Sequence, residues 1–229
     1  MSQFYQQEHH LLVSVDCIIL GFKDGEINVL IIKRKFEPLK GERSLMGGFV
    51  HENESLNETI SRVVAEYTGI ENVYMEQVGA YGDVGRDIGE RVVSVVYYAL
   101  IDMEQFDENR RKQHNAEWVN INRVGQLIFD HNQFLEDTIK ILRRRTATQP
   151  IGFNLLPEKF TLPQLQSLYE AIYRHPLDKR NFRKKVFEMD ILERLDEKDK
   201  NSSRRGAYYY KFNKEKYDRR LENGFDFSL

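Results

Sequence analysis

The chain has 229 residues, of which 41% are hydrophobic and 12% aromatic, enough to build one large domain or two modest ones. Its net charge of −2 hides an asymmetry, because residues 1–150 carry 17 Lys and Arg against 23 Asp and Glu, whereas residues 151–229 carry 17 against 13. The acidic first part and the basic second part predict two modules with different partners, with nucleic acid as a candidate partner of the basic one.

Several classes of protein are excluded by the same composition. Cys17 is the single cysteine, so no disulfide can form within the chain, and its apolar surroundings predict a buried thiol. No apolar segment approaches the length of a membrane span, and residues 1–8 lack the pattern of a signal peptide. We therefore expect a cytoplasmic protein that does not associate with membranes.

Apolar, β-branched segments in the first half predict a sheet. Segments 11–21 and 27–35 flank an Asp-Gly pair, which is a strong signal for a hairpin. Segment 73–82 predicts another strand, and segment 91–101 predicts a central strand because it is apolar on both faces. The glycine-rich stretch between these two does not open a helix, so a long turn is favoured over a nucleotide-binding fingerprint.

A helix is predicted after a glycine pair. Ser55 and Glu58 have the spacing of a capping box, and Gly69 is suited to end the helix with a positive φ. An apolar stripe at helical spacing predicts that one face of the helix packs against a core; it consists of Leu56, Ile60, Val63 and Val64.

This loop and helix resemble the Nudix box. That motif begins with a glycine, five residues of any type, a Glu and seven further residues. It continues with Arg-Glu-x-x-Glu-Glu-x-Gly and ends on an apolar residue. The positions that match in register are Gly48, Glu54, Arg62, Glu66, Gly69 and Ile70. Two positions depart from this pattern, since Val63 and Tyr67 replace glutamates. In addition, Met46 stands where many Nudix proteins have a proline before the two glycines.

The departures bear on catalysis. Positions 63, 66 and 67 share one helix face, which in Nudix hydrolases gathers carboxylates around magnesium, and only Glu66 is acidic here. We therefore expect no enzyme activity, no catalytic residue, no metal and no cofactor. The alternative, a magnesium-dependent Nudix pyrophosphohydrolase, would need Glu54 and Glu66 together with a substitute base such as Glu52 or Glu90.

The second module follows a helix that begins near Phe129-Asp130-His131 and ends at about Arg145. Pro150 and Gly152 predict a short linker, and we divide the chain into residues 1–148 and 149–229. Thr161 can cap a helix with an apolar face, and Asp178 can cap a basic helix over about 179–188. Two further strands, 191–195 and 207–212, predict a wing, so the module is a winged helix-turn-helix.

Basic and amide side chains of this module are candidates for DNA binding. Arg can pair with guanine and Asn with adenine in the major groove, while Lys and Arg neutralise phosphates. A solvated helix face is the alternative for the basic run on the second helix. The predicted DNA-binding residues are Thr161, Lys179, Arg180, Asn181, Arg183, Lys184, Lys185, Arg204 and Arg205.

The chain as a whole resembles the Nudix-related transcriptional regulators. The resemblance rests on Tyr81-Gly82-Asp83, Arg86-Asp87 and segment 91–95 in the first module, and on segments 155–161 and 178–185 in the second. It implies an α+β protein: an N-terminal Nudix-like α/β/α sandwich with a mixed sheet, followed by a C-terminal winged helix-turn-helix domain. It also implies a homodimeric repressor that binds double-stranded operator DNA and releases it when a small effector binds.

In this family some members respond to ADP-ribose and others to arabinose. The loss of acidic residues and the presence of Tyr67 favour a neutral, hydroxyl-rich ligand, so L-arabinose and genes of pentose use are the first expectation, and ADP-ribose and NAD metabolism the alternative. The predicted effector-binding residues are Ser44, Met46, Gly47, Gly48, Phe49, Glu66, Tyr67, Tyr81, Asp83 and Tyr97.

Overall fold

A computed structural model describes residues 7–200 and 206–229 of the chain. The first part of the molecule is a seven-stranded sheet with helices on both faces. Its strands are β1 (Leu12–Lys23), β2 (Glu26–Lys33), β3 (Arg43–Ser44), β4 (Met46–Phe49), β5 (Tyr74–Tyr81), β6 (Val92–Ile101) and β7 (Ala116–Asn120). Its helices are α1 (Leu56–Thr68), α2 (Glu108–Gln113) and α3 (His131–Thr148).

The sheet is mixed, and its strands β1 and β2 separate along part of their length. β1 pairs with β2 only next to their hairpin, where Leu20 faces Val29, and the two strands then separate. Short strands fill the gap between them, since β4 pairs with β1 and β3 pairs with β2. On its other edge β1 runs parallel to β6, which also pairs with β5 and is therefore central, as predicted.

Alternation along β1 divides the core into two layers. Val15, Cys17 and Ile19 pack on the face that α1 covers, whereas Ile18 and Leu20 point to the face that α3 covers. This is the two-residue period of a strand buried on both sides. The predicted α/β/α sandwich is confirmed, and the Cys17 thiol is buried, which raises its pKa well above the usual range.

Helix α1 has the predicted ends. The Ser55 side chain accepts a hydrogen bond from the Glu58 backbone N–H, and the Glu58 carboxylate accepts one from the Ser55 backbone N–H. The capping box is therefore complete. Gly69 ends the helix with φ 75°, in the left-handed region that suits glycine. The buried side includes Ile60, Val63 and Val64, as the stripe predicts.

The second part of the molecule is a winged helix. Helix α4 (Leu162–Tyr173) and helix α5 (Lys179–Glu188) pack against a three-stranded sheet. That sheet has the order β8–β10–β9, with β8 (Phe160–Thr161), β9 (Leu192–Asp199) and β10 (Ala207–Phe212). A last helix, α6 (Lys214–Glu222), was not predicted from the sequence. Within the described part of the chain, no helix is long and apolar enough to cross a membrane.

The junction between the two parts differs from the predicted linker. Residues Pro150–Leu155 form a 3-10 helix whose Ile151, Gly152 and Phe153 are buried. The hydrophobic core continues from the α3 face of the large sheet through this helix to α4 and α5. Pro150 and Gly152 are thus part of a packed joint, because the apolar residues beside them are drawn into a shared core.

Candidate functional site

A cavity of about 240 Å³ lies where β1 and β2 separate. The opening between the strands, the glycine pair of β4, helix α1 and the start of α3 surround it. We call it the cleft; its lining residues are Ser14, Asp16, Ile32, Lys33, Arg34, Lys35, Phe36, Ser44, Leu45, Gly47, Gly48, Phe49, Glu66, Tyr67, Arg86, Asp87, Val92, His114, Phe129 and His131.

One wall of the cleft combines cations with aromatic rings. The Arg34 guanidinium carbon lies 4.2 Å from the ring centre of Phe36 and 5.5 Å from that of Phe129. Its Nε donates to the Phe36 carbonyl at 3.1 Å. The Lys35 Nζ donates to the Gln113 carbonyl at 2.8 Å, which holds it beside the C-terminal end of α2. This wall can attract an anion and stack on a flat ring.

The floor of the cleft is polar. The Ser94 hydroxyl donates to Asp16 Oδ2 at 2.5 Å, and Asp16 Oδ1 lies 3.7 Å from His131 Nε2. His131 Nδ1 accepts from the Leu45 backbone N–H at 3.2 Å, and burial lowers the pKa of this imidazole. Gly47 has no room for a side chain, since a Cβ there would lie 2.8 Å from the Val15 carbonyl oxygen. The floor therefore offers hydrogen-bonding groups within reach of a ligand's hydroxyls.

An enclosed ion pair links the 82–91 loop to the start of α3. Arg86 Nε and Nη2 donate to the two carboxylate oxygens of Asp130 at 2.8 and 2.7 Å. The Arg86 side chain is 4% exposed, and its guanidinium lies 5.3 Å from the ring centre of Phe134. Arg86 lines the cleft and Asp130 precedes the first turn of α3, so this ion pair connects the cleft to the start of α3.

The residues of the Nudix box do not form a metal site here. Arg62 donates two hydrogen bonds of 2.7 Å to the Glu54 carboxylate, and this contact lowers the Glu54 pKa to about 2. Val63 is buried beneath Gly48, and the Tyr67 ring lies against the His114 imidazole in a tilted arrangement. Magnesium requires several oxygen ligands in octahedral geometry, and the remaining donor, Glu66, does not supply them. No group of three or more His, Cys, Asp or Glu side chains among residues 7–200 and 206–229 is placed to hold a metal.

The structure brings six of the predicted effector-binding residues into the cleft: Ser44, Gly47, Gly48, Phe49, Glu66 and Tyr67. The other four lie elsewhere. Met46 and Tyr97 point into the core beneath α1 because of strand alternation. The Tyr81 hydroxyl donates to Asp137 on the opposite face of the sheet, and Asp83 lies in the exposed loop, where its carbonyl accepts from Arg91.

Sequence reasoning missed the basic wall and much of the floor. The missed lining residues that carry charge or aromatic rings are Asp16, Lys33, Arg34, Lys35, Phe36, Arg86, Asp87, His114, Phe129 and His131. Arg34 and Lys35 are the last two residues of the predicted strand segment 27–35, and this position at a strand end was the available signal. Asp16 and His114 come together only through folding, from segments far apart in the chain.

A second surface lies on α5. Asp178 caps the helix by accepting from the Asn181 backbone N–H, and Phe182 and Val186 anchor it in the core. The predicted DNA-binding side chains of the helix are exposed: Lys179, Arg180, Asn181, Arg183, Lys184 and Lys185. We call this set the basic face of α5.

The remaining predicted DNA contacts are placed differently. Thr161 is 1% exposed, and its hydroxyl is engaged in the capping box of α4 with Gln164. It therefore stabilises α4 from within and is not part of the basic face. Arg204 and Arg205, predicted at the tip of the wing between β9 and β10, lie outside the described residues.

Comparisons with known proteins agree with this two-part architecture. The family model of the NUDIX domain matches residues 10–140, and the model described as the NrtR DNA-binding winged helix domain matches residues 152–212. The ADPR responsive transcriptional repressor of Acinetobacter baylyi is 33% identical over 211 residues, which cover 90% of this chain and 84% of that protein.

Two solved structures are similar as well. The crystal structure of Shewanella oneidensis NrtR complexed with a 27mer DNA has a TM-score of 0.83 and 28% identity, over 95% of this chain and 99% of that one. The NUDIX domain of the same protein, complexed with ADP ribose, has a TM-score of 0.50 and 27% identity, over 62% of this chain and 99% of that one.

Fold and sites define a Nudix domain joined to a winged helix, the architecture of a regulator. The chain belongs to the NrtR family of transcriptional regulators. The expectation of an L-arabinose effector and a role in carbohydrate metabolism is wrong, because the relatives named above are tied to ADP-ribose and none of these findings points to arabinose. That expectation considered only the residues of the Nudix helix and left out the cations Arg34 and Lys35 on the opposite wall of the cleft.

Proposed function

We propose that this protein is a transcriptional repressor that binds operator DNA as a homodimer through its winged helices and releases it when ADP-ribose occupies the cleft. The observation that carries the proposal is the likeness over nearly the whole chain to NrtR proteins, one of them in complex with DNA and one named for its response to ADP-ribose. The regulated genes would then be those of NAD metabolism, as the family resemblance implies.

The chemistry of the cleft suits ADP-ribose. The ligand carries a pyrophosphate, two riboses and an adenine ring. Arg34 and Lys35 supply positive charge for the phosphates. Phe36 and Phe129 offer ring faces, and Asp16 on the floor can accept hydrogen bonds from ribose hydroxyls. A neutral pentose would leave the basic wall without a partner.

The same cleft is poorly suited to hydrolysis. Glu54 is held by Arg62, and Val63 and Tyr67 cannot bind magnesium. Without a metal to neutralise the pyrophosphate and activate water, the bound nucleotide would persist. We therefore infer that ADP-ribose acts as a signal and is not turned over.

DNA binding would depend on the basic face of α5. In a helix-turn-helix the second helix enters the major groove, with its N-terminal residues nearest the bases. Arg180 and Asn181 occupy that position, and Lys184 and Lys185 lie a turn further along. Because one such helix spans few base pairs, we propose a homodimer on a near-palindromic operator.

Helix α3 provides a path between the two sites. It begins at His131 in the cleft and runs 18 residues, about 27 Å at 1.5 Å per residue. Near its end Arg143 Nε donates to the Ile172 carbonyl of α4 at 2.8 Å. Arg145 Nε donates to Glu76 of β5 at 2.6 Å. We infer that a ligand that shifts the start of α3 acts on the winged helix through the contact of Arg143 with α4, while Arg145 ties the end of α3 to the large sheet.

The proposal is tested with an operator selected by the protein itself from a random duplex library. Fluorescence anisotropy would measure affinity for this duplex with ADP-ribose, AMP, ribose 5-phosphate or L-arabinose present. We expect ADP-ribose alone to weaken binding by about 5–150-fold. Absence of sequence-selective binding, or equal responses to all four compounds, would refute the proposal.

Variants assign the DNA contact. Arg180→Ala and Asn181→Ala should each weaken operator binding by about 5–150-fold, the equivalent of about 1–3 kcal/mol for a paired contact to a base. Lys140→Ala is the control, since Lys140 is exposed on α3 and paired with Asp137. If all three variants bind as the wild type does, the basic face of α5 is not the reading surface.

A further inference from the structure

Tyr67 and His114 form a ring pair inside the cleft. Tyr67 replaces a metal-binding glutamate of the Nudix pattern, and its ring centre lies 4.6 Å from that of His114 at an interplanar angle of 56°. His114 ends α2, where its backbone N–H donates to the Arg110 carbonyl. Helices α1 and α2 thus bring two aromatic side chains together at the face of α1 where the Nudix pattern would place metal-binding glutamates.

The imidazole of His114 has an unused polar atom. His114 is only 7% exposed, and its Nε2 is buried without a hydrogen bond to any described residue. A buried polar atom without a partner destabilises the folded protein. Because His114 also lines the cleft, a molecule bound there can supply the missing partner once the imidazole turns its Nε2 towards it.

The surroundings of this imidazole favour its uncharged form. Burial, and after it the positive charge of Lys35, lower the pKa of His114, while Glu66 opposes them. A neutral imidazole offers one donor and one acceptor, so it can bond a ribose hydroxyl or a phosphate oxygen. The groups that face the ring are Lys35, Glu66 and Arg110, together with Tyr67.

We propose that His114 Nε2 hydrogen-bonds directly to the bound nucleotide, and that the Tyr67–His114 pair replaces the metal of the hydrolases in holding it. This inference rests on the proposed function and extends it, because it names a recognition residue and makes binding independent of divalent cations. The ligand class is a nucleoside diphosphate sugar, bonded through an oxygen of its ribose or pyrophosphate.

The test is titration calorimetry of the full chain with ADP-ribose, in EDTA and in excess magnesium. His114→Phe keeps a ring against Tyr67 and removes both nitrogens. We expect the wild type to bind equally in both buffers, and His114→Phe to bind about 5–100-fold more weakly, the loss of one buried hydrogen bond to a polar or charged group. His114→Gln, whose amide can approach the Nε2 position, should recover part of the affinity.

Two controls separate recognition from structure. His175→Phe alters a histidine that stacks on Tyr173 in the winged helix, away from the cleft, and should leave ADP-ribose binding unchanged. The melting temperature of His114→Phe should equal or exceed that of the wild type, because the variant removes an unpaired buried atom.

Each outcome decides a separate point. If the wild type binds and His114→Phe binds equally well, this inference is overturned while the proposed function stands. If the wild type needs magnesium, independence of metal is overturned. If the wild type does not bind ADP-ribose in either buffer, the proposed function is lost and this inference with it.

Discussion

At the scale of single residues, Arg86 and Asp130 illustrate how the cleft is tied to the rest of the fold. Asp130 stands at the N-cap of α3 but makes no capping hydrogen bond with its side chain, because both carboxylate oxygens bind Arg86. The Arg86 side chain is almost fully enclosed. Removal of one partner would leave a charge without compensation in a poorly hydrated place.

Arg86→Ala should therefore lower the free energy of unfolding by about 3 kcal/mol. Urea unfolding followed by circular dichroism measures this. Arg91→Ala is the matched control from the same loop, since Arg91 is exposed and makes one long hydrogen bond of 3.4 Å. A loss for Arg86→Ala no larger than that of the control would mean that the pair does not hold the loop.

The Glu54–Arg62 contact predicts a dependence on pH. Arg62 lowers the Glu54 pKa from 4.5 to about 2, so the folded state favours the ionised carboxylate. The stabilisation is fully present above about pH 4.5 and is lost as the pH falls towards 2. Glu54→Gln should melt below the wild type at pH 7, and the difference in melting temperature should shrink with acidification between these limits.

Thermal melts of both proteins across this range test the prediction. Glu52→Gln, a substitution in the exposed loop before α1, is the control. A difference between Glu54→Gln and wild type that stays constant down to pH 2 would show that the contact with Arg62 contributes no such stabilisation.

Individual residues also mark the limit of prediction from sequence. Val63 and Tyr67 could be recognised as departures because the Nudix pattern fixes the spacing of the glutamates. Arg34 and Phe129 belong to no motif with fixed spacing, and they meet at the cleft only after the chain has folded. The effector was misjudged for that reason.

At the scale of elements, the capping boxes of α1 and α4 set where these helices begin. Thr161 and Gln164 exchange hydrogen bonds at the start of α4, and Thr161 is buried between that helix and β10. Thr161 was a predicted DNA contact, but its hydroxyl already has an internal partner.

Thr161→Ala should lower the free energy of unfolding by about 1–2 kcal/mol, as the loss of a helix cap does. Thr161→Ser retains the hydroxyl and should recover most of this loss. Operator affinity, measured where both variants are folded, should remain that of the wild type. A selective loss of DNA affinity in Thr161→Ala without a change in stability would contradict the structural role.

Elements with clear capping residues and apolar spacing in the sequence were predicted correctly. Helix α5 has the bounds expected from its Asp178 cap and its buried Phe182 and Val186. Helix α6 was missed because it has no buried residue, and hence no apolar stripe to reveal it. The junction was misread because Pro and Gly normally mark loops, whereas here their apolar neighbours pack into a core.

At the scale of the whole molecule, one core spans the Nudix domain and the winged helix. Phe153 in the 3-10 helix lies 5.5 Å from Phe160 and 4.7 Å from Phe212, measured between ring centres. The same cluster includes Ile18 of the large sheet and Leu165 of α4. Such continuity favours transmission of a change in one part to the other.

A single cooperative unfolding transition is expected by calorimetry for the wild type. Phe153→Ala should lower stability by about 3–5 kcal/mol, the cost of removing a buried aromatic ring, and should separate the transition into two. Phe187→Ala provides the control, because Phe187 is 48% exposed on α5. Two independent transitions in the wild type would mean that the parts fold separately.

The proposed function requires communication between the cleft and the winged helices, and thermodynamic linkage tests this most directly. The affinity of ADP-ribose is measured for the free protein and for the protein saturated with operator, alongside operator affinity with and without ADP-ribose. We predict that both affinities fall by the same factor, about 5–150-fold, since coupling is reciprocal. Equal affinity of ADP-ribose for the free and the DNA-bound protein would contradict a repressor controlled by this ligand.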